Sequence, residues 1–291
     1  MAKTYNEIYI ETRKALKNAG IEAYALEARL LVAHAAGKTI AQFMRDYSLY
    51  AAPAFAADVQ EMTKRRIEGE PVAYITGSWE FYGVPLDITQ DVLIPRSDTE
   101  LIPEAAITLF SGRNPKPRIL DLCAGSGCIG IALAVHMPGA RVVLVDNDHR
   151  ALSVCRRNVQ KNRLETRVFV VEADATRKPP MLMGKFDLLV CNAPYVPTLD
   201  IMMLDASVRD YEPLQALDGG EDGLDVIRPV IALWKSVLKD SGTIMLEIGE
   251  GQSEAVQELL AKAGFTHIIA LKDPGGTERV VMGRLAPEAE E

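Results

Sequence analysis

The stretch Arg118-Ile-Leu-Asp-Leu-Cys-Ala-Gly-Ser-Gly-Cys-Ile-Gly130 limits what this chain can fold into more than any other. Ile119, Leu120 and Leu122 read as a short buried strand, and residues 129–135 have the length and period of a helix. Between them Gly125 and Gly127 form a turn, where a close approach to a ligand leaves no room for a Cβ. The helix start offers unpaired N–H groups and a positive dipole end. The glycines do not name the ligand. Gly125, Gly127 and Gly130 satisfy G-x-G-x-x-G, and Asp146 lies 21 residues after Gly125 at the end of the next strand. That is also the dinucleotide pattern, so a nicotinamide cofactor stays open here. In either reading Asp146 accepts from ribose hydroxyls.

Strands at 118–122, 141–145, 167–171, 186–191 and 243–248 alternate with helices reaching to 136 and at 148–161, 222–238 and 253–263. Residues 272–278 are too few for a crossover helix, so strands at 266–271 and 279–283 pair antiparallel. The expected fold is α/β: a doubly wound, mostly parallel seven-stranded sheet with a reversed edge strand. Residues 1–70 read only as helices, four of them, opened by a Thr4/Glu7 capping box and punctuated by Gly20, Gly37, Pro53 and Gly69. Leu26, Leu30, Leu31 and His34 recur on one side of the second. Lys64, Arg65 and Arg66 suit the last turns of the fourth, either as a solvated helix end or as a contact surface. Residues 72–75, 79–82 and 86–92 look strand-like and predict a β-hairpin linker. The chain thus divides into a helical domain (1–70), a linker (71–97), a ligand-binding domain (98–286) and an acidic tail (287–291).

Hydrophobic residues make up 48% and charged residues 25%, as in soluble globular proteins. No apolar run approaches a membrane span, and the N-terminus lacks a signal-like segment, so a cytoplasmic location without membrane contact is expected. Cys123, Cys128, Cys155 and Cys191 form no Cys-x-x-Cys or Cys/His cluster and read as structural thiols, with no metal site. A net charge of −8 argues against direct nucleic-acid binding. Ten Lys/Arg against nine Asp/Glu give residues 1–75 a charge of +1, leaving −9 for the remainder. A protein partner held by the first module and modified by the second is compatible with that asymmetry.

Ligands of doubly wound sheets bind beyond the carboxyl ends of the central strands. Those ends carry Asp121 with the glycine turn, Asp146, Asp174 and Asn192-Ala-Pro-Tyr195. Asp121 suits a turn position and an ammonium group. Asp174 and Ala175 suit the border of an adenine ring, although Asp174 also suits a helix cap or the surface. Pro194 stiffens the strand exit and biases Ala193 toward an extended backbone. The Asn192 oxygen and the Ala193 carbonyl then converge, with an aromatic face after them. Two acceptors and a ring suit a planar –NH₂ on a conjugated group, with Tyr195 against its plane. Arg96 is placed to orient acidic groups, or to pair with Glu100 or another carboxylate. His136, His149 and His267 fit helices or outer strands and read as structural.

Five stretches carry a resemblance. They are Pro71-Val-Ala-Tyr-Ile-Thr-Gly77 with Glu80-Phe-Tyr-Gly83; Val92-Leu-Ile-Pro-Arg-Ser-Asp-Thr-Glu100; the run from Ile119 to Gly127; Phe186-Asp-Leu-Leu-Val-Cys-Asn-Ala-Pro-Tyr-Val-Pro197; and Tyr211-Glu-Pro-Leu-Gln-Ala-Leu-Asp-Gly-Gly-Glu-Asp-Gly-Leu224. Leu246-Glu-Ile-Gly249 and Arg279-Val-Val-Met-Gly-Arg284 fit as well. Over essentially its whole length the sequence resembles the release factor glutamine methyltransferases, which N5-methylate the glutamine of the Gly-Gly-Gln motif in peptide chain release factors. The resemblance implies S-adenosylmethionine as cofactor. Cys123, Ala124, Gly125, Ser126 and Gly127 would then lie under its methionine portion with Asp121, Asp146 on the ribose, and Asp174 and Ala175 beside adenine. Asn192, Ala193, Pro194 and Tyr195 would hold the glutamine amide, with Arg96 on the substrate side and residues 1–70 docking the release factor to a monomeric enzyme.

Two positions depart from the family pattern. Ala193 replaces the first proline of the tetrapeptide but keeps the backbone carbonyl its role needs. Ser97 replaces the proline common after Ile-Pro-Arg and loosens the loop bearing Arg96. The implied mechanism is direct in-line methyl transfer to the amide nitrogen. Its rivals are an amino-directed DNA or RNA base methyltransferase, which shares the tetrapeptide, a nicotinamide oxidoreductase, which leaves Asn192 to Tyr195 without a role, and a non-catalytic interaction protein with a vestigial cleft.

Overall fold

The structure, a computed structural model, describes residues 3–112 and 116–287. The chain divides into two compact units, Met1–Ser78 with Asp205–Tyr211, and Trp79–Leu204 with Glu212–Glu291. From residue 288 onward the expected acidic tail lies outside the described residues.

In the first unit, α1 (Tyr5–Asn18) starts where Thr4 and Glu7 cap each other's backbone N–H groups, at 3.2 and 2.7 Å. Then come α2 (Tyr24–Ala35), α3 (Ile40–Arg45), opened by a Thr39/Gln42 capping box, and α4 (Pro53–Ile67). Their core joins Leu16, Leu31, Val32, Phe43 and Val59. Of the side expected of α2, Leu31 is buried, together with Ala28, Val32 and Ala33, while Leu30 is half-buried and Leu26 and His34 are exposed. All three cations ending α4 are paired: Arg66 with Glu27 at 2.5 Å, Arg65 with Glu70 at 2.7 Å and, more loosely, Lys64 with Glu68 at 3.8 Å.

Residues 72–75 are helical, not extended. Pro71 (φ −59°) starts α5 (Val72–Thr76), whose five residues are all buried, and Gly77 (φ +65°) ends it. A proline before the first turn and a left-handed glycine after the last outweigh the strand preference of Val, Tyr and Ile. The hairpin is therefore short: β1 (Ser78–Phe81) and β2 (Val84–Asp87), joined through Tyr82 and Gly83, both at positive φ. Residues 88–92 form no strand.

The second unit continues through a 3₁₀ turn (Asp98–Glu100), α6 (Leu101–Phe110), β3 (Arg118–Leu122), α7 (Cys128–His136), β4 (Arg141–Asp146), α8 (His149–Lys161), β5 (Val168–Glu172) and β6 (Phe186–Cys191). The long loop after β6 holds a 3₁₀ turn (Thr198–Met203), α9 (Ala206–Arg209, in the first unit) and a 3₁₀ turn (Leu214–Ala216). The chain ends with α10 (Ile227–Trp234), β7 (Leu238–Glu247), α11 (Ser253–Lys262), β8 (Phe265–Lys272) and β9 (Glu278–Leu285). α10 starts later than the 222 expected, because residues 219–226 are turns: Asp222 accepts from Leu224 N at 3.2 Å and pairs with Arg228.

The sheet order is β5-β4-β3-β6-β7-β9-β8. β5, β4, β3, β6 and β7 run parallel, whereas β9 runs antiparallel to both β7 and β8. The sheet is doubly wound, mostly parallel and seven-stranded as expected, and its reversed strand sits one place in from the edge that β8 forms. Strand order turns back at β3, so the crevice between the carboxyl ends of β3 and β6 is where such a sheet binds ligands. Gly130 lets α7 lie close on the sheet: a Cβ there would stand 2.3 Å from a Leu144 methyl.

Candidate active site

A cleft of about 1020 Å³, counted out to its open mouth, lies over those strand ends. Cys123, Ala124, Gly125, Ser126, Asp146, Asp174, Ala175, Asn192 and Pro194 all line it, so most of the residues singled out from the sequence meet at one place. Among the described residues no cluster of His, Cys, Asp and Glu is suited to a metal ion.

The floor is built by the turn after β3. Cys123 (φ +56°) and Gly125 (φ +54°) are both left-handed, and a Cβ on Gly125 would meet no atom within 4 Å. Ala124 N donates to Val145 O at 3.0 Å, and Gly125 N donates to Asp146 Oδ2 at 2.9 Å. From below, Cys155 donates its thiol to Gly125 O at 3.1 Å. Asn158, fully buried, donates to Ser126 O at 2.9 Å and to Asp87 O at 3.0 Å, and accepts from Asp87 N. Asn158 thus ties hairpin, α8 and turn together. The sequence offered only an unremarked polar residue on the apolar side of a helix.

The two acidic groups of the floor differ. Asp146 reaches the cleft; its oxygens accept from Gly125 N and from Asp148 N at 3.0 Å, leaving lone pairs toward the cavity. Burial raises its pKa against those backbone hydrogen bonds. Asp121 stands behind the turn, 1% exposed. Its Oδ2 accepts from Gly130 N at 2.8 Å, while Oδ1 is buried without a partner among the described residues. Burial, more than the nearby Asp146, pushes its pKa up to about 7. Gly127 also lies under the floor, its left-handed backbone wedged between Ile131 and Leu144.

On the far wall Asp174 makes a local turn, accepting from Thr176 N at 2.8 Å and Thr176 Oγ1 at 2.6 Å, which holds its pKa below the usual carboxylate value. Ala175 is fixed by the buried Trp234, whose Nε1 donates to Ala175 O at 2.9 Å. At the exit of β6, Asn192 Nδ2 donates to Thr99 Oγ1 at 3.4 Å. Pro194 lines the cleft, whereas Ala193 is 2% exposed and packs in the core below. Tyr195 donates its hydroxyl to Glu247 Oε1 at 3.3 Å, and burial raises its pKa well above the usual tyrosine value. Arg96 pairs with the buried carboxylate of Glu212, which also accepts from Ile94 N at 3.1 Å, so of the two pairings expected it takes another structural carboxylate rather than Glu100. Glu100 accepts from Tyr82 N.

The Gly-Gly-Glu-Asp-Gly run explains itself against this exit. A Cβ on Gly219 would lie 2.8 Å from Pro194 O, and one on Gly223 2.2 Å from Tyr195 O. Val196 N donates to Leu217 O and Gly219 N to Val196 O, at 3.0 and 2.9 Å. Gln252 completes the seat, donating to Tyr195 O at 2.9 Å. Gln215, on the cleft rim, hydrogen-bonds Asp148, which starts α8.

Comparison with known proteins bears on the family. The family model described as PrmC N-terminal domain matches residues 7–77, and the one described as methyltransferase small domain matches residues 105–206. A release factor glutamine methyltransferase of Geobacter sulfurreducens is 36% identical over 283 residues, 97% of this chain and 97% of that protein. A human release factor glutamine methyltransferase is 35% identical, with 83% of this chain and 75% of that protein covered. A methyltransferase structure from Pyrococcus furiosus shares the fold, with a TM-score of 0.52, 14% identity, and 78% of this chain and 99% of that one covered. With a relative 36% identical and matched over 97% of both chains, the chain belongs to the release factor glutamine methyltransferase family.

Proposed function

We propose that this protein methylates the side-chain amide nitrogen of glutamine in the Gly-Gly-Gln motif of peptide chain release factors, with S-adenosylmethionine as the methyl source. The residues fit that cofactor. The buried, unpartnered Oδ1 of Asp121 suits an ammonium group, Asp146 keeps acceptor capacity for a ribose diol, and the space above Gly125 is where a Cβ would intrude. The observation that carries the reading is that Asn192 shares one cleft with this turn.

The bound cofactor supplies an electrophilic methyl group on a sulfonium. An amide nitrogen is a poor nucleophile because its lone pair is delocalised into the carbonyl. Asn192 Oδ1 and the Ala193 carbonyl accept its two N–H groups, and their partial charges favour the nitrogen most as it becomes cationic. They also fix its direction of approach. The nitrogen becomes acidic only after the methyl arrives, so water suffices to take the proton. Tyr195, held by Glu247, lies beside the amide plane. Arg96, tied to Glu212, shapes the substrate side, and Asp174 and Ala175 border adenine. The helical domain, residues 1–70, docks the release factor, and we read the protein as a monomeric cytoplasmic enzyme acting on protein rather than nucleic acid. No helix among the described residues is long and apolar enough to cross a membrane.

The test is incubation with radiolabelled S-adenosylmethionine and purified release factors, followed by mapping of the modified residue. Label on the Gly-Gly-Gln glutamine is the expected result. No label there, or label on nucleic acid instead, rejects the reading.

A further inference from the structure

One polar side chain that does not line the cleft reaches three of the segments that build its substrate side. Gln252 directly precedes α11, a place where a short polar side chain would cap the helix, yet its own makes no hydrogen bond to the helix N–H groups. It turns to the strand exits instead. Its Nε2 donates to Tyr195 O at 2.9 Å and to Asp222 O at 3.3 Å, and its Oε1 accepts from Gly249 N at 2.8 Å. Those partners belong to the exit of β6, to the Gly-Gly-Glu-Asp-Gly run and to the exit of β7. Gly249 in turn lies against the Tyr195 ring, where a Cβ would stand 3.3 Å from Tyr195 Cδ2. A Cβ on Gly223 would stand 2.3 Å from Gln252 Nε2, so the amide is also packed in on that side.

We infer that Gln252 is a positioning residue for the methyl transfer, holding Tyr195 against the plane of the substrate amide. It rests on the reading of Tyr195 as the aromatic wall of the amide pocket. A primary amide brings two hydrogens and one oxygen, and here the hydrogens and the oxygen are all engaged. Turned over, it would set its NH₂ against the Gly249 N–H and its oxygen against two carbonyls, so only one orientation satisfies the site. Tyr195 is thereby held at two points: by its own carbonyl, and by the backbone on which its ring rests. Its hydroxyl has the longer 3.3 Å hydrogen bond to Glu247, so the clamp at the main chain carries most of the ring's placement. A capping side chain before α11 would contribute about 1 kcal/mol of stability. Gln252 leaves that contribution unused and ties the three exits together. A reacting group displaced by about 1 Å can cost about 100-fold in rate, which is the scale on which such a tie matters.

The experiment uses the full-length enzyme, radiolabelled S-adenosylmethionine and a purified release factor. Steady-state rates are taken for Gln252→Ala, Gln252→Glu, Tyr195→Ala and the double variant Tyr195→Ala/Gln252→Ala. Thermal melts and cofactor titrations establish that each variant is folded and binds. Gln252→Glu keeps nearly the same shape and an acceptor for Gly249 N, but sets an oxygen against the carbonyls of Tyr195 and Asp222, and it serves where the alanine variant fails to fold. Both single Gln252 variants are expected to lower kcat roughly 10- to 100-fold, with cofactor affinity within about twofold. In the Tyr195→Ala background the Gln252 change has less than about a twofold effect, because the ring it holds is gone. A merely structural role would weaken cofactor binding and stability together and act equally in both backgrounds. Normal kcat in a folded Gln252 variant overturns the inference, as does a loss that multiplies with that of Tyr195→Ala. If Tyr195→Ala itself turns over normally, the reading of Tyr195 has failed and takes the inference with it, whereas an impaired Tyr195→Ala beside a normal Gln252→Ala sinks the Gln252 role alone.

Discussion

Replacing Asp121 with asparagine separates the cofactor role proposed for this carboxylate from its effect on the fold. The side chain is 1% exposed, with one oxygen on Gly130 N and the other unpartnered among the described residues. Burial pushes its pKa from the usual 3.8 to about 7, with the Gly130 hydrogen bond opposing and Asp146 adding to the rise. Because the folded form holds the proton more tightly than the unfolded one, this group's contribution to stability is fully present below about pH 4. It is lost as the pH climbs to about 7 and is level above that. A displacement of that size corresponds to roughly 4 kcal/mol, of which roughly 3 falls between pH 5 and pH 8. Asparagine keeps an acceptor for Gly130 N and does not titrate. In urea melts without cofactor, the stability of Asp121→Asn relative to wild type should therefore rise by roughly 3 kcal/mol from pH 5 to pH 8. Glu247, whose pKa burial also raises to about 7, is present in both proteins and cancels from the difference. Cofactor affinity at pH 8 should move the other way, about tenfold weaker or more, since a neutral amide leaves the ammonium uncompensated. A stability difference flat with pH, or an unchanged cofactor affinity, refutes the reasoning.

Asn192→Ala removes an oriented acceptor and should cost roughly 2–4 kcal/mol of transition-state stabilisation; near-normal methyl incorporation into a release factor would reject its assignment. Gly223→Ala sets a Cβ 2.2 Å from Tyr195 O on a backbone at φ +77°, so neither atom can yield. It should lose roughly 2 kcal/mol or more of stability and most of its turnover, read by chemical melts and the methylation assay, and wild-type values in both would contradict the packing described. Asn158→Ala leaves Ser126 O and both backbone groups of Asp87 without their buried partner, for a loss of roughly 3 kcal/mol in urea melts. A shift below about 1 kcal/mol would mean that water replaces it.

The parts of this fold that depend on neighbours in sequence could be read from it. Thr4 and Glu7 cap α1 from three residues apart, and the period change across Gly125 and Gly127 announced a strand, a turn and a helix that the structure contains. Residues 72–75 are helical against their strand-like side chains because end chemistry opposes side-chain preference there, and Pro71 and Gly77 prevail. The late start of α10 goes with the turns at residues 219–226, whose glycines Gly219 and Gly223 lie against the carbonyls of Pro194 and Tyr195, contacts distant in sequence. The site divides the same way. Strand ends brought Asp146, Asp174 and Asn192 to one cleft as alternation in a doubly wound sheet requires. Thr99, Asn158, Gln215 and Glu247 act across the fold and leave no local pattern, although Glu247 lies in Leu246-Glu-Ile-Gly249, which fits the family resemblance.

The seating of Gly219 and Gly223 on the strand exit has a consequence for anyone redesigning substrate choice. Main chain rests on main chain there, so no side-chain swap on one partner can compensate for a bulkier residue on the other. Grafting a foreign tetrapeptide alone, or a foreign glycine run alone, would leave a lock with half a key. The two have to be transplanted as one piece, whatever is done with the chain between them.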